Sequence, residues 1–398
     1  MTSIDEDPIV IVGAARTALG GFQGALSGAT GPELGAAAIG AALERAQIDP
    51  DDVTEVLMGC VLPAGVGQAP ARQAAIKAGV PNAVPCTTVN KVCGSGMKTV
   101  MLAHNALASG AADVVVAGGM ESMTNAPYLL PKARAGLRLG HTDVKDHMFL
   151  DGLEDAYENK LMGTYAEATA QAYQFTREAQ DAYALASLER ASAAQGSGAF
   201  DAEIAPVTVK GRKGDAQIVA DEQPQTARPD KIPTLKPAFA ADGTVTAANS
   251  SSISDGAAAL VLMRRSEAEK RGLKPLAIIR GQAQFAHEPQ WFTTAPVDSI
   301  RSLMHTLGWT LDDVDLFEIN EAFAVVTMAA MRDLGIPHEK VNVNGGACAL
   351  GHPIGASGTR ILVTLLYALK TRGLTRGIAS LCIGGGEATA IAIERVGA

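Results

Sequence analysis

The spacing of apolar residues along the chain predicts an α/β protein. Short apolar runs at residues 9–14 and 54–59 alternate with helical patterns, apolar every three to four positions, at 32–47 and 68–79. Strands that alternate with helices are typical of βα units, in which helices cover a largely parallel sheet. We therefore expect a fold built around a sheet with helices on its faces.

The order of elements occurs twice, which indicates two related halves. Residues 43–59 and 303–320 each read as a helix, an Asp-Asp-Val triplet and a strand. Further along, helices that open on small residues at 94–96 and 356–358 lead to strands that are followed by glycines and a glutamate. Two copies of one βα unit are expected to pack about a pseudo-dyad.

A long segment interrupts the first copy. The second copy closes with an alternating strand at 388–396, whereas the matching strand of the first copy comes only at 257–264. The segment before that strand is richer in glycine, proline and charge, and has one good helix at 177–194. We expect either a lid that holds substrate or a subdomain that stabilises an oligomer. The predicted domains are residues 1–121 with 251–273, the insertion 122–250, and residues 274–398.

Charge and composition exclude several classes of function. The 398 residues carry a formal net charge of −9 without a basic run or an aromatic-basic stripe, which argues against a nucleic-acid partner. The acidic, polar start and the lack of a long apolar run predict neither a signal peptide nor a membrane span. Five scattered cysteines, an odd number, are typical of free thiols in a reducing compartment. We expect a cytoplasmic protein.

Cys93 is the first candidate for chemistry. It lies where a strand-like run gives way, through Gly94 and Gly96, to a helical pattern over residues 97–108. The unpaired N–H groups and the dipole at a helix start favour a thiolate, which is the nucleophilic form of cysteine. The alternative is a small buried core residue, the commoner fate of a cysteine. The flanking glycines favour the nucleophile, and with it acyl transfer.

Three further segments lie at predicted strand ends. Asn320 follows an apolar strand, and taken alone it is interpreted as the N-cap of the next helix. His352 lies in the glycine-rich loop 344–358 before a helix, and Cys382 precedes three glycines. Ligands of α/β sheets bind where the carboxyl ends of strands meet helix starts, so these residues are expected to converge with Cys93.

Such a convergence supplies the parts of a covalent mechanism. Two cysteines and a histidine that meet across a pseudo-dyad can serve as nucleophile, base and acid. Cys348 and His352 resemble half of a zinc site, but no second pair of cysteine or histidine residues has suitable spacing. We therefore expect no metal.

At these residues the chain resembles the thiolase family, which comprises acetyl-CoA acetyltransferases and 3-ketoacyl-CoA thiolases. Five motifs stand in the family's order and spacing over nearly the whole length. The motifs are Asn90-Lys-Val-Cys-Gly-Ser-Gly96, Gly118-Gly-Met-Glu-Ser-Met123, Asn320-Glu-Ala-Phe323, Gly351-His-Pro-Ile-Gly-Ala-Ser-Gly358 and Cys382-Ile-Gly-Gly-Gly386. The resemblance implies two halves in αβαβα layers with an inserted loop domain, and a homodimer or homotetramer bridged by that insertion.

The resemblance also implies a role for each residue. Cys93 would become acylated, with His352 taking its proton, and Cys382 would protonate or deprotonate the alpha carbon of acetyl-CoA. One oxyanion hole would use His352 with a water held by Asn320. The other would use the backbone N–H groups of Cys93 and Gly384. A covalent acyl-enzyme implies ping-pong kinetics.

The implied substrates are acetyl-CoA, CoA and a short-chain 3-ketoacyl-CoA, with no further cofactor. Met162 and Phe239 would line the pantetheine tunnel, and Ser251 would hydrogen-bond the pantetheine. The remaining candidates for substrate contact are Arg228, Ala247, Phe292, Ala322 and Phe323. Arg228 or the Lys210–Lys213 cluster would meet the phosphates of CoA, with ordinary solvated charge as the alternative for each.

Two departures from the family pattern bear on substrate size. The chain reads Leu161-Met162-Gly163 where many acetoacetyl-CoA enzymes have His-Met-Gly, and Phe292 begins a Phe-x-x-Ala-Pro of the type that handles 2-methyl-branched substrates. We expect a short-chain thiolase that tolerates alpha-methyl or longer acyl groups. The alternatives are a longer-chain degradative thiolase, an acyl-CoA thioesterase and a non-catalytic acyl-CoA or lipid-binding protein. The direction of the reaction stays open.

Overall fold

The computed structural model describes residues 6–211 and 214–397. Its strands are β1 (Ile9–Thr17), β2 (Gly20–Gly21), β3 (Glu55–Gly59), β4 (Cys86–Val89), β5 (Val114–Ser122), β6 (Tyr128–Leu129), β7 (Lys145–Asp146), β8 (Ile204–Ala205), β9 (Val207–Val209), β10 (Ala216–Ile218), β11 (Ser254–Arg264), β12 (Ala277–Ala286), β13 (Leu316–Ile319), β14 (Arg376–Ile383) and β15 (Glu387–Arg395). Its α-helices are α1 (Gly31–Ala46), α2 (Pro70–Lys77), α3 (Ser95–Ser109), α4 (Met162–Tyr173), α5 (Arg177–Gly196), α6 (Glu222–Thr226), α7 (Arg265–Lys270), α8 (Ala295–Leu307), α9 (Ala324–Leu334), α10 (Ala347–Leu350) and α11 (Ser357–Arg372).

The main sheet shows the repeat that the sequence predicts. Its strand order is β13-β14-β15-β12-β1-β11-β5-β3-β4. In the first half β4, β3 and β5 are parallel and β11 and β1 continue antiparallel. In the second half β13 and β14 are parallel and β15 and β12 continue antiparallel. The two half-sheets are joined by the pairing of β1 with β12, in which Val10 lies opposite Ile278 and Ile11 opposite Ala277.

Three apolar cores arrange the helices into layers around these two half-sheets. Helices α1 and α2 pack on the outer face of the first half-sheet. Helices α8 and α9 pack on the outer face of the second. Between them, α3 and α11 contact strands of both halves. The result is the predicted αβαβα arrangement with two related halves.

Strand β11 illustrates why the strand sequences read as continuous apolar runs. Its odd-numbered residues from Ala257 to Met263 enter the outer core, and its even-numbered residues from Ala258 to Leu262 enter the central core. Successive side chains of a strand point to opposite faces, so a strand with helices on both faces must be apolar at every position.

Glycine allows the two central helices to cross at their starts. A Cβ at Gly96 would lie 2.9 Å from Thr359 Oγ1, and one at Gly358 would lie 2.3 Å from the backbone nitrogen of Met97. The Thr359 hydroxyl also donates to the Gly96 carbonyl at 2.7 Å. The small residues that open both helices in the sequence therefore serve this contact, which brings Cys93 close to the loop of His352.

The inserted segment leaves the sheet after β5 and returns in β11. Because these strands are antiparallel neighbours, with Asp255 opposite Ser122, the chain leaves and re-enters at one place. A fully buried ion pair network ties the segment to the first half, since Arg16 contacts Glu203 at 2.6 Å and Asp221 at 2.7 Å. The division into three domains stays a prediction. In the described part of the chain, no helix has the length and apolar character needed to cross a membrane.

Candidate active site

Cys93 lies in the turn between β4 and α3, two residues before the helix begins. Its side chain lines a cavity of about 110 Å³ together with His352 and Gly384. The residue before it, Val92, has a φ of 46°, which is an outlier for a β-branched side chain. The Asn90 side-chain oxygen accepts from the Val92 N–H at 2.9 Å, and the Ser95 hydroxyl donates to the Val92 carbonyl at 2.7 Å. These bonds stabilise the unusual turn.

Burial makes Cys93 a protonated thiol at neutral pH. It raises the pKa of Cys93 to about 11, although the backbone N–H groups of Gly384 and Cys93 itself lower it. The negative charge of Glu121 also raises it. The N–H groups favour the thiolate, as expected, but desolvation outweighs them in the resting protein. The nucleophile therefore needs a base.

His352, in the same cavity, offers an unprotonated ring nitrogen for that role. Its Nδ1 lies 2.5 Å from the Ser357 hydroxyl, which donates its proton to the Pro353 carbonyl at 2.9 Å. Since a hydroxyl has one proton, Ser357 accepts from Nδ1–H and the lone pair of Nε2 is left to accept a proton. Burial, and then the charge of Arg360, lowers the pKa of His352 to about 3. The imidazole is therefore neutral.

Asn320 lies beside His352 and does not cap a helix. The following helix begins at Ala324 with Phe323 as its N-cap, so the N-cap interpretation of Asn320 is wrong. The Asn320 side-chain nitrogen lies 3.5 Å from both ring nitrogens of His352, and Arg360 Nη2 lies 3.5 Å from its oxygen. Because guanidinium only donates, it orients the amide oxygen towards itself and the NH₂ group towards His352.

Cys382 lies behind the cavity wall. It is fully buried near the end of β14, and the cavity is lined instead by Gly384, two residues later. Burial raises the pKa of Cys382 well above its ordinary value, and the neighbouring Cys93 raises it further. The two thiols from opposite halves are therefore close enough to interact electrostatically, as the repeat predicts.

Most of the predicted substrate residues share this cavity. The residues that line it with Cys93 include Met162, Phe239, Ser251, Phe292, Ala322 and Phe323. The Phe323 ring makes edge contacts with Phe239 at a centroid distance of 6.0 Å and with Phe292 at 6.4 Å. Phe323 thus joins the other two rings into one apolar wall of the cavity.

Arg228 and Ala247 lie elsewhere, in a second cavity of about 250 Å³. Ser252 lines both cavities, so they adjoin. Lys210 lines neither of them, and Arg212 and Lys213 lie outside the described residues. Arg228 and Ala247 thus line the cavity next to that of Cys93, and their contact with substrate stays a prediction.

Two buried carboxylates that sequence reasoning missed hold the loops of the site. The Glu321 carboxylate accepts from the Tyr183 hydroxyl at 2.9 Å, from the Ser187 hydroxyl at 2.7 Å and from the Cys348 N–H at 3.0 Å. Four or more polar partners make a buried carboxylate tolerable; the Asn342 amide is the fourth, at 2.8 Å. Glu321 thus fixes the glycine-rich loop that leads to His352.

Glu121, in the first half, is the second buried carboxylate that holds loops of the site. Its carboxylate accepts from the N–H groups of Val61 at 2.9 Å, Leu62 at 3.1 Å and Gly355 at 2.9 Å. It joins the loop after β3 to the loop that carries His352. The position of Glu121 after the glycines of β5, repeated by Glu387 after those of β14, was the signal in the sequence that could have identified it.

A cysteine and a neutral histidine in one cavity, held between two related halves of a five-layered α/β fold, are typical of a class of acyl-transferring enzymes. The chain belongs to the thiolase family: the models of the thiolase N-terminal domain and C-terminal domain match residues 9–266 and 273–395. Among the described residues, no cluster of histidine, cysteine, aspartate or glutamate could hold a metal ion.

Close relatives carry one name. The chain is 52% identical to the acetyl-CoA acetyltransferase of Cupriavidus necator over 97% of this chain and 99% of that protein. It is 52% identical to acetyl-CoA acetyltransferase 2 of Arabidopsis thaliana over 98% of each. The crystal structure of the Bacillus anthracis acetyl-CoA acetyltransferase matches with a TM-score of 0.96 at 42% identity, covering 98% of this chain and 99% of that one. The predicted family and fold are confirmed.

Proposed function

We propose that this protein is an acetyl-CoA C-acetyltransferase, which condenses two molecules of acetyl-CoA or cleaves a short-chain 3-ketoacyl-CoA with CoA. The observation that carries this proposal is the pairing, in one cavity, of a protonated Cys93 with a neutral His352 whose Nε2 is free to accept. The names and the 52% identity of two full-length relatives support it.

The first half-reaction forms the acyl-enzyme. His352 Nε2 takes the proton of Cys93, and the sulfur attacks the thioester carbonyl of acetyl-CoA. The carbonyl oxygen becomes negative and accepts from the N–H groups of Cys93 and Gly384, which already point at the Cys93 sulfur in the resting site. The bond to the CoA sulfur then breaks, Cys382 gives its proton to the departing thiolate, and His352 keeps the proton on Nε2.

The second half-reaction makes the carbon–carbon bond. Cys382, now a thiolate, takes a proton from the methyl carbon of a second acetyl-CoA, and the carbanion attacks the acetyl group on Cys93. The bond to the Cys93 sulfur then breaks, and His352 returns its Nε2 proton to that sulfur. His352 and Asn320, whose NH₂ group faces the imidazole, stabilise the enolate oxygen. Thiolysis is the same sequence reversed. Splitting the reaction at the acyl-enzyme predicts ping-pong kinetics.

The two adjoining cavities suit the two ends of the substrate. The smaller catalytic cavity, closed on one side by Phe239, Phe292 and Phe323, accepts a short acyl group. We propose that CoA extends from Ser251 through the second cavity, where Arg228 and Lys231 meet its phosphates. CoA is a substrate here, and we propose no further cofactor.

The test of this function uses the purified protein and a small panel of substrates. With acetyl-CoA and labelled CoA alone, we expect label to exchange between the two, because the first half-reaction is reversible by itself. Release of free acetate in place of exchange would indicate a thioesterase. Cleavage of acetoacetyl-CoA and 2-methylacetoacetyl-CoA should exceed that of 3-ketooctanoyl-CoA. A strong preference for the eight-carbon substrate would overturn the short-chain assignment.

We propose a homodimer or homotetramer as the working form. Strand β4 lies at an edge of the main sheet with β3 as its neighbour, which leaves its other side open for pairing. The inserted segment exposes large apolar side chains, most strongly Tyr128, Leu139, Val144 and Tyr157. A cytoplasmic location also stays a prediction. It is supported by a 50% identical mouse relative named acetyl-CoA acetyltransferase, cytosolic.

A further inference from the structure

An ion pair joins the two halves beside the nucleophile. Lys91 lies two residues before Cys93, and its ammonium contacts the carboxylate of Glu387. Glu387 follows the glycine turn that carries Gly384. The side chains are 19% and 37% exposed, so the pair lies at the rim of the site rather than in the core.

The Cys93 turn needs support because its backbone is strained. Val92, with a φ of 46°, occupies a region that β-branched residues avoid, and such conformations persist only where the surroundings hold them. Within the turn, Asn90 and Ser95 bond the backbone of Val92, and the Lys91 N–H donates to Ser95 Oγ at 2.8 Å. All these partners belong to the first half, so they shape the turn without placing it relative to Gly384.

Apolar side chains of the second half pack closely against the turn. A Cβ at Gly94 would lie 2.3 Å from Ile383 Cδ1, and one at Gly384 would lie 3.8 Å from Val92 Cγ1. These contacts limit how closely the two turns approach but have no preferred direction. A charged pair adds direction, since its hydrogen bond fixes which atoms face one another.

We infer that Lys91 and Glu387 form a clasp that holds the strained Cys93 turn in register with the Gly384 turn. The clasp thereby keeps the backbone N–H groups of Cys93 and Gly384 aimed at one point, the position of the oxyanion. This inference rests on the proposed function, because it assigns those two N–H groups to the oxyanion. Lys91 and Glu387 are positioning residues that act through the backbone.

A direct effect of charge on the thiol makes the opposite prediction and can be separated from the clasp. If Lys91 only stabilised the Cys93 thiolate, replacing it with glutamine would slow acylation, whereas replacing Glu387 with glutamine would remove a negative charge and speed acylation. If the two residues act as a clasp, both replacements slow it, because either one releases the turns.

The experiment measures the rate of Cys93 acetylation by acetyl-CoA, and kcat and KM for acetyl transfer, in Lys91→Gln, Glu387→Gln and the swapped Lys91→Glu/Glu387→Lys protein. We expect each single variant to lose roughly tenfold in acetylation rate and kcat, with KM for acetyl-CoA within about twofold. The swap should restore most of the loss, because it rebuilds the pair. Melting temperatures should stay close to the parent value, since partly exposed ion pairs add little to global stability.

Two variants serve as matched controls. Lys98→Gln removes a neighbouring positive charge that interacts electrostatically with Lys91 and Glu387 but is hydrogen-bonded across the halves to Gln284, at 3.0 Å. Glu394→Gln removes ion pairs with Arg280 and Arg376 at the other end of β15. Both should keep kcat within about twofold of the parent.

Any of three results would overturn the clasp. The Glu387→Gln protein could be acetylated faster than the parent, the two single variants could be acetylated as fast as the controls, or the doubly substituted protein could be no faster than the single variants. Failure of the proposed function has a different signature. In that case the parent protein itself would give no acetylated Cys93, whatever the state of the pair.

Discussion

Ser357 decides which nitrogen of His352 serves as the base. Its hydroxyl is held by the Pro353 carbonyl and so accepts the Nδ1 proton, which leaves Nε2 unprotonated. Burial lowers the pKa of His352 to about 3, so the imidazole is neutral at any higher pH. One buried hydroxyl thus fixes the tautomer on which the proposed deprotonation of Cys93 depends.

Replacing Ser357 with alanine should therefore impair catalysis without unfolding the protein. We expect kcat to fall by roughly 10- to 100-fold, because the imidazole loses the partner that holds its proton on Nδ1. Steady-state assays of acetyl transfer with a melting curve check this. Ser299→Ala is the matched control, since Ser299 is also buried in a helix and donates to a proline carbonyl, that of Pro296, at 3.1 Å. Equal losses in the two variants would contradict the assignment.

At the scale of elements, the site depends on how closely α3 and α11 cross. Gly358 meets the backbone nitrogen of Met97, so a Cβ there at 2.3 Å would force the helices apart. Cys93 lies just before the start of α3, and the loop of His352 leads into α11. Forcing the two helices apart would therefore also separate Cys93 from His352.

We therefore expect Gly358→Ala to lower the free energy of unfolding by about 1–3 kcal/mol, the usual effect of overfilling a packed contact. Gly40→Ala is the control within a helix, because nothing lies within 4 Å of its added Cβ. That change should stabilise the protein by about 0.5–1 kcal/mol. Urea unfolding of both variants measures the difference, and equal effects of the same sign would refute the close crossing.

The sequence predicted these elements well where a local pattern determines them. The repeated helix, strand and glycine order requires two similar halves, and the apolar runs of β11 and β14 require burial on both faces. The local sequence pattern could not predict that α9 begins at Ala324, because contacts with distant residues hold Asn320 away from the helix start. The Asn320 N–H donates to the Ser380 carbonyl, and its side-chain oxygen lies near Arg360. It also could not predict that desolvation of Cys93 outweighs the helix start, since burial is a property of the assembled fold.

At the scale of the whole molecule, buried charges link stability to pH. Burial raises the pKa of Glu121 from its ordinary 4.5 to about 7, against the lowering effect of three backbone N–H groups. The folded protein therefore binds this proton more tightly than the unfolded chain. The stability that Glu121 contributes is full below about pH 4.5 and is lost as the pH rises through about 7.

The free energy of unfolding should accordingly fall between pH 5 and pH 8, with Glu121 supplying about 2–3 kcal/mol of the decrease. The Glu121→Gln protein should be less stable than the parent at pH 5, because the amide cannot satisfy all three N–H groups, but its stability should depend less on pH. Urea unfolding at a series of pH values measures both slopes. Glu44→Gln, on the exposed face of α1, is the control and should keep the parent slope; an unchanged slope for Glu121→Gln would contradict the raised pKa.

The most direct test of the whole account is to find where acetyl-CoA leaves its acetyl group. Brief incubation with acetyl-CoA, acid quenching, digestion and mass spectrometry should show one acetylated peptide, modified at Cys93. Added CoA should remove the acetyl group from the native protein. Cys382→Ala should still form this acyl-enzyme but fail to condense it with a second acetyl-CoA, while Cys93→Ser should show no acetylation. Full acetylation of the Cys93→Ser protein, or an acetyl group on another residue, would contradict the account.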